Sequence, residues 1–498
     1  MAEETVGFVH VDEEKPDLSW PSIRRYFATR HTTLFQLPER TGNAFPNPMP
    51  GLRAMELKHW NWYFLGFLAW VVDAMDFFVV SSTAPQIAET LGVSITDITW
   101  GMTLVLMVRS IGAIIFGVAS DYYGRKWPYI ACCAMFVVLE IGVGFCQTYD
   151  QFLAIRALFG ISMGGMYGCA AATALENVPK EARSILSGLF LPGYTLGFLL
   201  AIVFARAFED TYKPGEGWRA LCWFTAGPAF VLMVWRMFMP ESDYFLRVKA
   251  QRQLQEKKSW RQSWDDFKLA ISTHWVIFLY LILFMAGLNF MSHGCQDLYP
   301  TFLTNQIGLS SDAKTVSMVV INLGAIVGGI FFGQLSEYTG RRLGFILACI
   351  LGGAFSYPAF FLRSQGGLMV CAFFLQFAVG CWGIQPIHLF ELTPNKYRAL
   401  ASGLAYQLGN LASSASSTIE STMGSKFPLP GGIYDYGKVM AIFTGAVFAY
   451  MILIVFVGPE KFHKNLDDIP TEDDMMQKVQ SNDVLDNKKP EVQQRETV

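Results

Sequence analysis

Stretches of about 20 apolar residues recur along the chain, and polar segments separate them. A helix of that length spans the hydrocarbon core of a bilayer. Twelve stretches qualify, at 62–80, 100–119, 128–146, 152–174, 185–205, 219–239, 274–294, 315–335, 343–362, 367–390, 400–423 and 439–458. This pattern predicts an all-α integral membrane protein with twelve transmembrane helices, because so many buried core helices in series would be unusual in a soluble chain.

The composition agrees with a chain whose main solvent is lipid. Hydrophobic residues make up 52% of the 498 positions and charged residues 16%, whereas a soluble chain has about 25% charged residues. The net charge of −3 excludes a strongly basic nucleic-acid-binding protein. All nine cysteines lie in or beside apolar stretches, which argues against a disulfide framework. We expect a bilayer as partner, and no nucleic acid, metal or cofactor.

Lysine and arginine are concentrated in every second connecting loop. Seven of them lie in 240–273, whereas 81–99 and 147–151 contain none. The positive-inside rule places the basic loops and both termini in the cytoplasm, and we expect a multi-pass protein of the plasma membrane. The predicted organisation is a mobile tail, a six-helix bundle, a basic central loop, a second six-helix bundle and a mobile tail, at 1–61, 62–239, 240–273, 274–458 and 459–498.

Three motifs of the first half return in the second half at a nearly constant offset. They pair Gly117–Lys126 with Gly333–Arg342, Glu176–Arg183 with Glu391–Arg398, and Pro240-Glu241 with Pro459-Glu460. Such repetition is typical of transporters built from internal repeats.

The first motif has a plausible chemical role at each position. Gly117 would permit close approach of two helices, and Gly124 would permit a tight turn. Asp121 could pair with basic groups or with a helix N-terminus, and Arg125 would lie at the lipid headgroups. Simple topological anchoring would also explain the basic residues. We favour a conformational latch, because an acid recurs at the same point in both halves.

These features resemble those of the major facilitator superfamily: the motif G-x-x-x-D-x-x-G-R-K after the second stretch, its copy after the eighth, and the six-plus-six layout. The resemblance covers roughly residues 60–460. It implies two six-helix bundles around a central cavity that opens alternately to either side. It also implies gating residues that do not touch substrate: Gly117, Asp121, Gly124, Arg125, Glu176, Arg183, Gly333, Glu337, Gly340, Arg341, Glu391 and Arg398.

Charged residues inside predicted membrane stretches are functional candidates, because burying charge in a bilayer is costly. They are Asp73, Asp76, Arg109, Glu140 and Arg156. Arg109 lies at the middle of its stretch and offers a planar fork that matches a carboxylate. It could anchor an anionic substrate, or it could form a fixed ion pair with Asp73, Asp76 or Glu140. Arg156 is a candidate second basic group.

The seventh stretch ends in polar residues at helical spacings of three and four: Asn289, Ser292, His293, Gln296 and Asp297. They would form one polar stripe on the helix. Histidine titrates near neutrality, so His293 and Asp297, one turn apart, could relay a proton. Asp73 and Asp76 are second candidates for this role.

The eleventh stretch carries Gln407 and Asn410 one turn apart. Their amides could bind a carboxylate or could join helices.

These residues resemble the signature N-x-x-[S/T]-H-x-[S/T]-Q-D-x-x-x-T of fungal proton-coupled carboxylate transporters. This lactate–pyruvate permease group is related to sialate:proton symporters. The chain departs from the signature at Cys295, where the group has Ser or Thr, and it matches at Thr301. The resemblance implies that the helices carrying Arg109, the stripe and Gln407 line the substrate path.

We therefore expect a proton symporter, not an enzyme, that imports short-chain carboxylates such as lactate, pyruvate, acetate, succinate or malate. Arg109 would hold the carboxylate, and His293 and Asp297 would carry the proton. The other substrate-binding residues would be Asn289, Ser292, Gln407 and Asn410. A transporter of another organic anion such as a sugar acid, and a non-transporting nutrient sensor, remain alternatives. We expect a monomer with possible regulatory partners on its tails.

Overall fold

The structure is a computed structural model. It describes residues 17–36, 49–175, 178–179, 182, 186, 189–242, 245–246, 260–393, 398–430 and 433–461. Within these ranges it describes only the backbone of 50–51, 121–122, 260–267, 269–271, 390, 398–402 and 433.

The described residues form twelve membrane helices, two of them in two pieces. They are α1 Leu57–Leu91, α2 Ile95–Tyr123, α3 Lys126–Phe145, α4 Tyr149–Leu175, α5 Pro192–Phe208, α6 Gly217–Phe238, α7 Trp260–Gln296, α8 Ser311–Thr339, α9 Arg341–Phe361, α10a Gln365–Val379, α10b Gln385–Leu392, α11a Arg398–Ser413, α11b Ser416–Gly424 and α12 Tyr436–Val457. Within the described ranges, ten helices are long and apolar enough to cross a membrane. The other two are α5, which has 17 residues, and the divided α11.

Four shorter helical segments and one strand pair complete the described fold. They are Trp20–Leu34, Met49–Arg53, Tyr299–Thr301, a π-turn at Phe302–Gln306, and the strands β1 Pro428–Leu429 and β2 Ile433–Tyr434. The strands are antiparallel, with Pro428 opposite Tyr434.

Some helices extend beyond the predicted apolar stretches, and others are interrupted within them. α7 consists of two helices that meet at a kink at His274 (φ −112°, ψ 19°), where the predicted seventh stretch begins; the first of them, from Trp260, lies inside the predicted central loop. The eleventh stretch, predicted to be continuous, breaks between Ser413 and Ser416. The tenth stretch contains a 3₁₀ segment, Gly380–Ile384, between α10a and α10b.

Part of the predicted mobile N-terminal tail is a helix that contacts the second half. In Trp20–Leu34, the Tyr26 hydroxyl donates to the carbonyl of Val457 at 2.9 Å. The Arg30 guanidinium donates to the carbonyl of Gly458 at 3.1 Å. This segment is therefore docked on the end of α12.

Helix packing repeats between the halves. In the first half α2 packs on α4, α1 on α5 and α3 on α6, and in the second half α8 packs on α10a, α7 on α11a and α9 on α12. Between the halves, α2 contacts both pieces of α11 and α5 contacts α8. Each contact is thus related to another by a shift of six helices, which is the six-plus-six pseudo-symmetry predicted from the repeats.

We call the end of the bundle where α2 turns into α3 and α8 into α9 the basic end, because Arg125, Lys126, Arg341 and Arg342 lie there. The other end is the opposite end. Side chains from the two halves meet at the opposite end, where the guanidinium of Arg206 lies 2.6 Å from Asp312.

A second set of contacts at the opposite end joins α2 to α11b. Thr99 and Ser421 are hydrogen-bonded at 3.1 Å, and Thr103 and Thr418 at 2.7 Å. We call these four residues the hydroxyl cluster. Together with Arg206 and Asp312 they close the opposite end in this structure.

The third repeated motif caps helices at the basic end. Glu241 accepts hydrogen bonds from the backbone N–H groups of Arg125 at 3.2 Å and Lys126 at 3.1 Å. These N–H groups begin α3 and have no intrahelical acceptors. Glu460 does the same for Arg341 at 2.5 Å and for the residue after it at 3.3 Å.

The capping geometry requires glycine at Gly124 and Gly340. Both have positive φ, at +97° and +85°, which costs other residues about 1–2 kcal/mol. A Cβ on Gly124 would lie 2.2 Å from an oxygen of Glu241, and one on Gly340 would lie 2.7 Å from an oxygen of Glu460. The tight turn predicted for Gly124 is therefore present.

Close helix approach, which we predicted for Gly117, is absent in this structure. Apart from the backbone of its own helix, no atom of the described residues lies within 4 Å of the position of a Cβ on Gly117. A Cβ on Gly333, its counterpart, would make only an ordinary contact with Gly383 at 3.5 Å.

We predict that Gly124→Ala destabilises the folded protein by about 2–4 kcal/mol, from backbone strain and the clash with Glu241. The matched control is Gly117→Ala in the same motif, where the new methyl group meets open space and alanine favours the helix. Thermal unfolding of the detergent-purified variants, followed by size-exclusion chromatography, measures both. Similar midpoints for the two variants would contradict the capping account.

Candidate functional site

A cavity of about 90 Å³ lies between the two halves at mid-depth. It could hold several water molecules, since each needs about 10–15 Å³ of such space. α1, α5, α7, α8, α10 and α11 contribute to its walls. Of the predicted polar residues, it is lined by Asn289, Ser292, His293, Gln296 and Asn410. The stripe on α7 therefore faces the cavity together with one amide of α11.

The 3₁₀ segment after α10a forms one wall of this cavity through Trp382 and Gly383. A Cβ on Gly383 would lie 2.2 Å from the carbonyl oxygen of Gly329 on α8, so α8 and this segment approach closely. Irregular backbone is tolerated at membrane depth where it lines a cavity. The Trp382 indole N–H donates to the hydroxyl of Ser292 at 2.6 Å, which orients both side chains.

His293 and Asp297 form the predicted pair. Nδ1 of His293 lies 3.1 Å from Oδ2 of Asp297, and both side chains are almost fully buried. α7 ends at Gln296, so Asp297 lies just beyond the helix, yet its backbone N–H still donates to the carbonyl of His293 at 3.0 Å. The pair therefore keeps the one-turn spacing predicted for a continuous helix.

The backbone of Asp297 also lies at the symmetry axis between the halves. Its carbonyl accepts a hydrogen bond from the hydroxyl of Ser81 on α1, and the two residues are 216 positions apart. This is the offset between the first repeated motifs. Equivalent positions of the two halves meet here, so His293 and Asp297 lie at the interface between the halves.

Arg109 lies behind the cavity wall in an aromatic cage. Its Cζ atom lies 5.7 Å from the centre of the Trp70 ring and 5.5 Å from that of Tyr406, and both residues line the cavity. Such distances allow cation–π attraction. Tyr167 stacks on Tyr406 at 4.9 Å and joins the cage to α4.

The guanidinium of Arg109 is buried but incompletely paired. Its exposure is 1%, and Nε and Nη2 have no hydrogen-bond partner in the described part of the chain. The oxygens of Asp73 also accept no hydrogen bond there, whereas Asp76 interacts with the hydroxyl of Thr225. In the described part Arg109 forms no salt bridge with either aspartate, although Asp73 interacts with it electrostatically.

α4 fixes the backbone position of Arg109. A Cβ on Gly164 would lie 1.9 Å from the carbonyl oxygen of Arg109, so only glycine allows α4 to lie this close to α2. The two helices hold the guanidinium at mid-depth, beside the cavity.

Asp73, Asp76, Glu140 and Arg156 form a cluster of charged residues within the first half, and Asp73 links this cluster electrostatically to Arg109. Arg156 lies 3.6 Å from Glu140, and both are buried. Asp76 interacts electrostatically with both of them and with Asp73. None of these four residues is among those that line the cavity. Arg156, a candidate second cavity cation, is thus directed at Glu140 instead.

The predicted gating residues of the second half meet at the basic end. Arg341 lies 2.5 Å from Glu337 and 3.1 Å from Glu391, so its side chain joins two of the repeated motifs. The described members of this group do not line the cavity.

The first-half counterparts are only partly described. Glu176, Arg183 and the side chains of Asp121 and Arg398 lie outside the described residues. Their gating roles stay predictions. Gln407 lies beside the cavity wall, where its backbone carbonyl accepts a hydrogen bond from the Ser110 hydroxyl at 3.1 Å, and its side-chain oxygen has no partner in the described part.

Sequence reasoning missed Glu420 on α11b. Its side chain is fully buried, and neither oxygen has a hydrogen-bond partner among the described residues. The position lies inside the predicted stretch 400–423, so a full census of charged residues in the stretches would have included it. The aromatic walls Trp70, Trp382 and Tyr406 were also missed, because the residue pattern does not distinguish them from lipid-facing aromatics.

The sequence profile of the family described as "Sugar (and other) transporter" matches residues 54–472. The "Carboxylic acid transporter protein homolog" of Saccharomyces cerevisiae is 46% identical over 481 residues, which cover 93% of this chain and 78% of the yeast protein. The "Sialic acid transporter NanX" of Escherichia coli is 28% identical, and the match covers 80% of this chain and 95% of that protein.

Among solved structures, the partially occluded inward-open xylose transporter XylE of E. coli superimposes with a TM-score of 0.65 at 15% identity. The match covers 82% of this chain and 99% of XylE, and it shows a shared fold. The relatives are transporters, so this chain is a multi-pass membrane transporter and not an enzyme. The chain belongs to the sugar (and other) transporter family and has the twelve-helix fold of the major facilitator superfamily.

Proposed function

We propose that this transporter is a proton-coupled symporter that imports short-chain carboxylates such as lactate, pyruvate, acetate, succinate or malate. The observation that carries the proposal is the buried guanidinium of Arg109 beside the cavity, with two nitrogens that lack hydrogen-bond partners in the described part. A buried charge without a partner costs several kcal/mol. Arg109 lies behind the wall formed by Trp70 and Tyr406, so a carboxylate in the cavity would supply the missing acceptors once these side chains move aside.

An anionic substrate suits this site better than a neutral one. The guanidinium fork can donate two parallel hydrogen bonds to one carboxylate. A neutral solute would leave the two unpaired nitrogens of Arg109 without an anionic acceptor, since Asp73 interacts with Arg109 electrostatically but accepts no hydrogen bond in the described part. The aromatic cage of Trp70 and Tyr406 stabilises the cation without occupying its N–H groups, so these donors remain for a ligand.

The other predicted binding residues can form hydrogen bonds with the hydroxyl or keto group of a small hydroxy or keto acid. Ser292 already accepts a hydrogen bond from Trp382, so its O–H group is left to donate. The amides of Asn289 and Asn410 each donate to a carbonyl of their own helix, which leaves their oxygens as acceptors. Gln407 offers a further unpaired oxygen. The small cavity favours acids of a few carbon atoms.

Proton coupling has a physical reason in this site. A carboxylate that crosses with a proton carries less net charge through the low-dielectric interior than the anion alone. His293 lines the cavity and contacts Asp297, so a proton on this pair would lie beside the bound anion. Asp73 and Asp76 are second candidates for proton binding, through their buried carboxylates.

The relatives support organic acid transport. Besides the yeast carboxylic acid transporter homologue, the "Cis,cis-muconate transport protein" of Acinetobacter baylyi is 25% identical, and the match covers 77% of this chain and 94% of that protein. We further propose that the protein acts as a monomer in the plasma membrane, with the basic end and both termini in the cytoplasm. Regulatory partners would bind its tails.

A sugar acid is the second candidate substrate, because a sialic acid transporter is among the relatives. Competition between labelled lactate and a panel of mono-, di- and sugar acids in proteoliposomes distinguishes these classes. We expect three- and four-carbon acids to compete best. Stronger competition by sialic acid would favour the second candidate, and absence of any flux would favour a sensor.

Replacing Arg109 should weaken carboxylate uptake in proportion to the hydrogen bonds lost. Arg109→Lys keeps the charge but loses the fork, and we expect an apparent KM raised about tenfold, the equivalent of one charged hydrogen bond. For Arg109→Ala we expect uptake reduced about 100-fold or more. The measurement is initial uptake of labelled lactate and succinate into proteoliposomes with an inward proton gradient.

The control for this series is Arg363→Gln, since Arg363 is exposed and lies outside the cavity. It should transport like the unmodified protein. Normal coupled uptake by Arg109→Ala would overturn the anchor assignment.

Replacing His293 or Asp297 should impair proton-driven accumulation of substrate but not substrate exchange. In His293→Gln and Asp297→Asn, proton-driven accumulation should fall about tenfold or more, because one buried ionisable partner is lost. Exchange of internal labelled for external unlabelled substrate should persist, since it needs no net proton movement. Both are measured in the same proteoliposomes.

His31→Gln is the control, because His31 lies exposed on the N-terminal surface helix. Accumulation at the unmodified level by both pair variants would exclude His293 and Asp297 from coupling and would direct attention to Asp73 and Asp76.

A further inference from the structure

Glu420 is a buried acid to which the transport mechanism above assigns no role. It lies on α11b, nearer the opposite end than the cavity-lining Asn410. Its side chain is fully buried, and both carboxylate oxygens lack a hydrogen-bond partner among the described residues. A charged carboxylate in this position would be strongly destabilised.

The closest titratable neighbours of Glu420 belong to α7. A Cβ on Gly294 would lie 3.4 Å from an oxygen of Glu420, so the two helices touch here. Asp297 interacts electrostatically with Glu420, and so does Cys295. His293 is linked to Glu420 through Asp297. If Asp297 and Glu420 were both charged, they would repel each other across an interior without water.

The other helices around α11b contribute uncharged side chains in the described part of the chain. α2 meets α11b through the hydroxyls of Thr99 and Thr103. α12 contributes the ring of Phe443, which lies against Gly294 next to Glu420. These groups provide no cation that could compensate a charged Glu420.

Glu420 shares its helix with the residues that close the opposite end. Thr418 is two positions before it and Ser421 is one position after it, and these two residues contact Thr103 and Thr99 on α2. When the hydroxyl cluster is formed, α2 covers α11b on the side of the opposite end. When the cluster separates, water from that end can approach Glu420.

We propose that Glu420 is the proton-binding residue that couples closure of the opposite end to proton uptake. This inference rests on the proposed proton symport and adds a site outside the cavity. With the end open, the solvated carboxylate binds one proton from the solution. With the end closed, only the neutral acid is tolerated, so the hydroxyl cluster forms on the protonated state.

The proton balance of the step is simple. One proton from external water adds to one oxygen of the Glu420 carboxylate and forms an O–H bond. Transfer of that proton to Asp297 breaks this bond and restores the Glu420 carboxylate, which is not tolerated while the end is closed, so the end reopens to water. Asp297 then holds the proton next to His293 at the cavity. Glu420 lies beside Gly294 of α7 and interacts electrostatically with Asp297, and His293 lines the cavity.

The test measures closure of the opposite end without any substrate. Spin labels at Trp100→Cys on α2 and Thr422→Cys on α11b, both exposed positions, report the separation of the two helices. The background carries Cys371→Ser, because Cys371 is the one native cysteine that is not buried. Distances are recorded in nanodiscs from acid to alkaline pH.

For one coupled proton, the ratio of closed to open protein should rise about tenfold per pH unit of acidification where Glu420 of the open state is deprotonated, and it should level off once that state is protonated. Glu420→Gln, which mimics the neutral acid, should be closed at every pH. Glu420→Asp should restore a pH-dependent equilibrium. Asp150→Asn, at an exposed carboxylate in the first turn of α4 at the same end, should behave like the parent.

Persistence of the parent's pH dependence in Glu420→Gln would overturn the proposal, as would a parent without pH dependence. A second readout is transport. Glu420→Gln, whose opposite end stays closed, should lose both substrate exchange and proton-driven accumulation by about tenfold or more, whereas Glu420→Asp should keep both. If the parent closes with acid but moves no carboxylate, the substrate assignment fails and the role of Glu420 stands. If carboxylate uptake is proton-driven but closure does not depend on pH, the proposed role of Glu420 fails and the proposed function stands.

Discussion

The cost of burying charge in a medium without water determines which residues of this protein can carry function. A charged group at membrane depth is stable only with a partner, with solvent or in a neutral state. At the basic end, Arg341 satisfies this requirement through Glu337 and Glu391. Arg109 and Glu420 do not satisfy it in this structure, since their polar atoms are buried and incompletely paired. The substrate carboxylate that we propose would accept hydrogen bonds from Arg109, and the proton that we propose would neutralise Glu420.

Contacts within each half hold its helices in place, and they lie apart from the contacts that join the two halves. Glu241 and Glu460 cap helices within their own halves, and Gly164 holds Arg109 against α4. The contacts between halves lie instead at the opposite end and along the axis, where Ser81 meets Asp297. The groups expected to change protonation, His293, Asp297 and Glu420, lie at or near this axis. Binding and closure are therefore linked through the same helices, α7 and α11.

Apolar length and repeated motifs were enough to predict twelve helices and their pseudo-symmetry, because both follow from local sequence. The same pattern could not predict the break at Ser413 or the 3₁₀ segment at Gly380, which depend on packing against neighbouring helices. The polar stripe of α7 was predicted as one face because helical spacing fixes it. Whether Arg109 faces an acid or an aromatic cage depends on how α1, α4 and α11 assemble, which spacing within one helix does not encode. The roles of Glu420 and of the two Pro-Glu motifs could not be predicted, because they depend on contacts between residues far apart in the sequence.

The most direct test of this account is proton entry driven by substrate. Purified protein is reconstituted into vesicles that contain a pH-sensitive dye, with equal pH on both sides and the membrane potential clamped. Adding lactate or succinate outside should acidify the vesicle interior, and vesicles with Arg109→Ala should show no more acidification than protein-free vesicles. An unchanged internal pH during measurable carboxylate uptake by the unmodified protein would contradict proton symport.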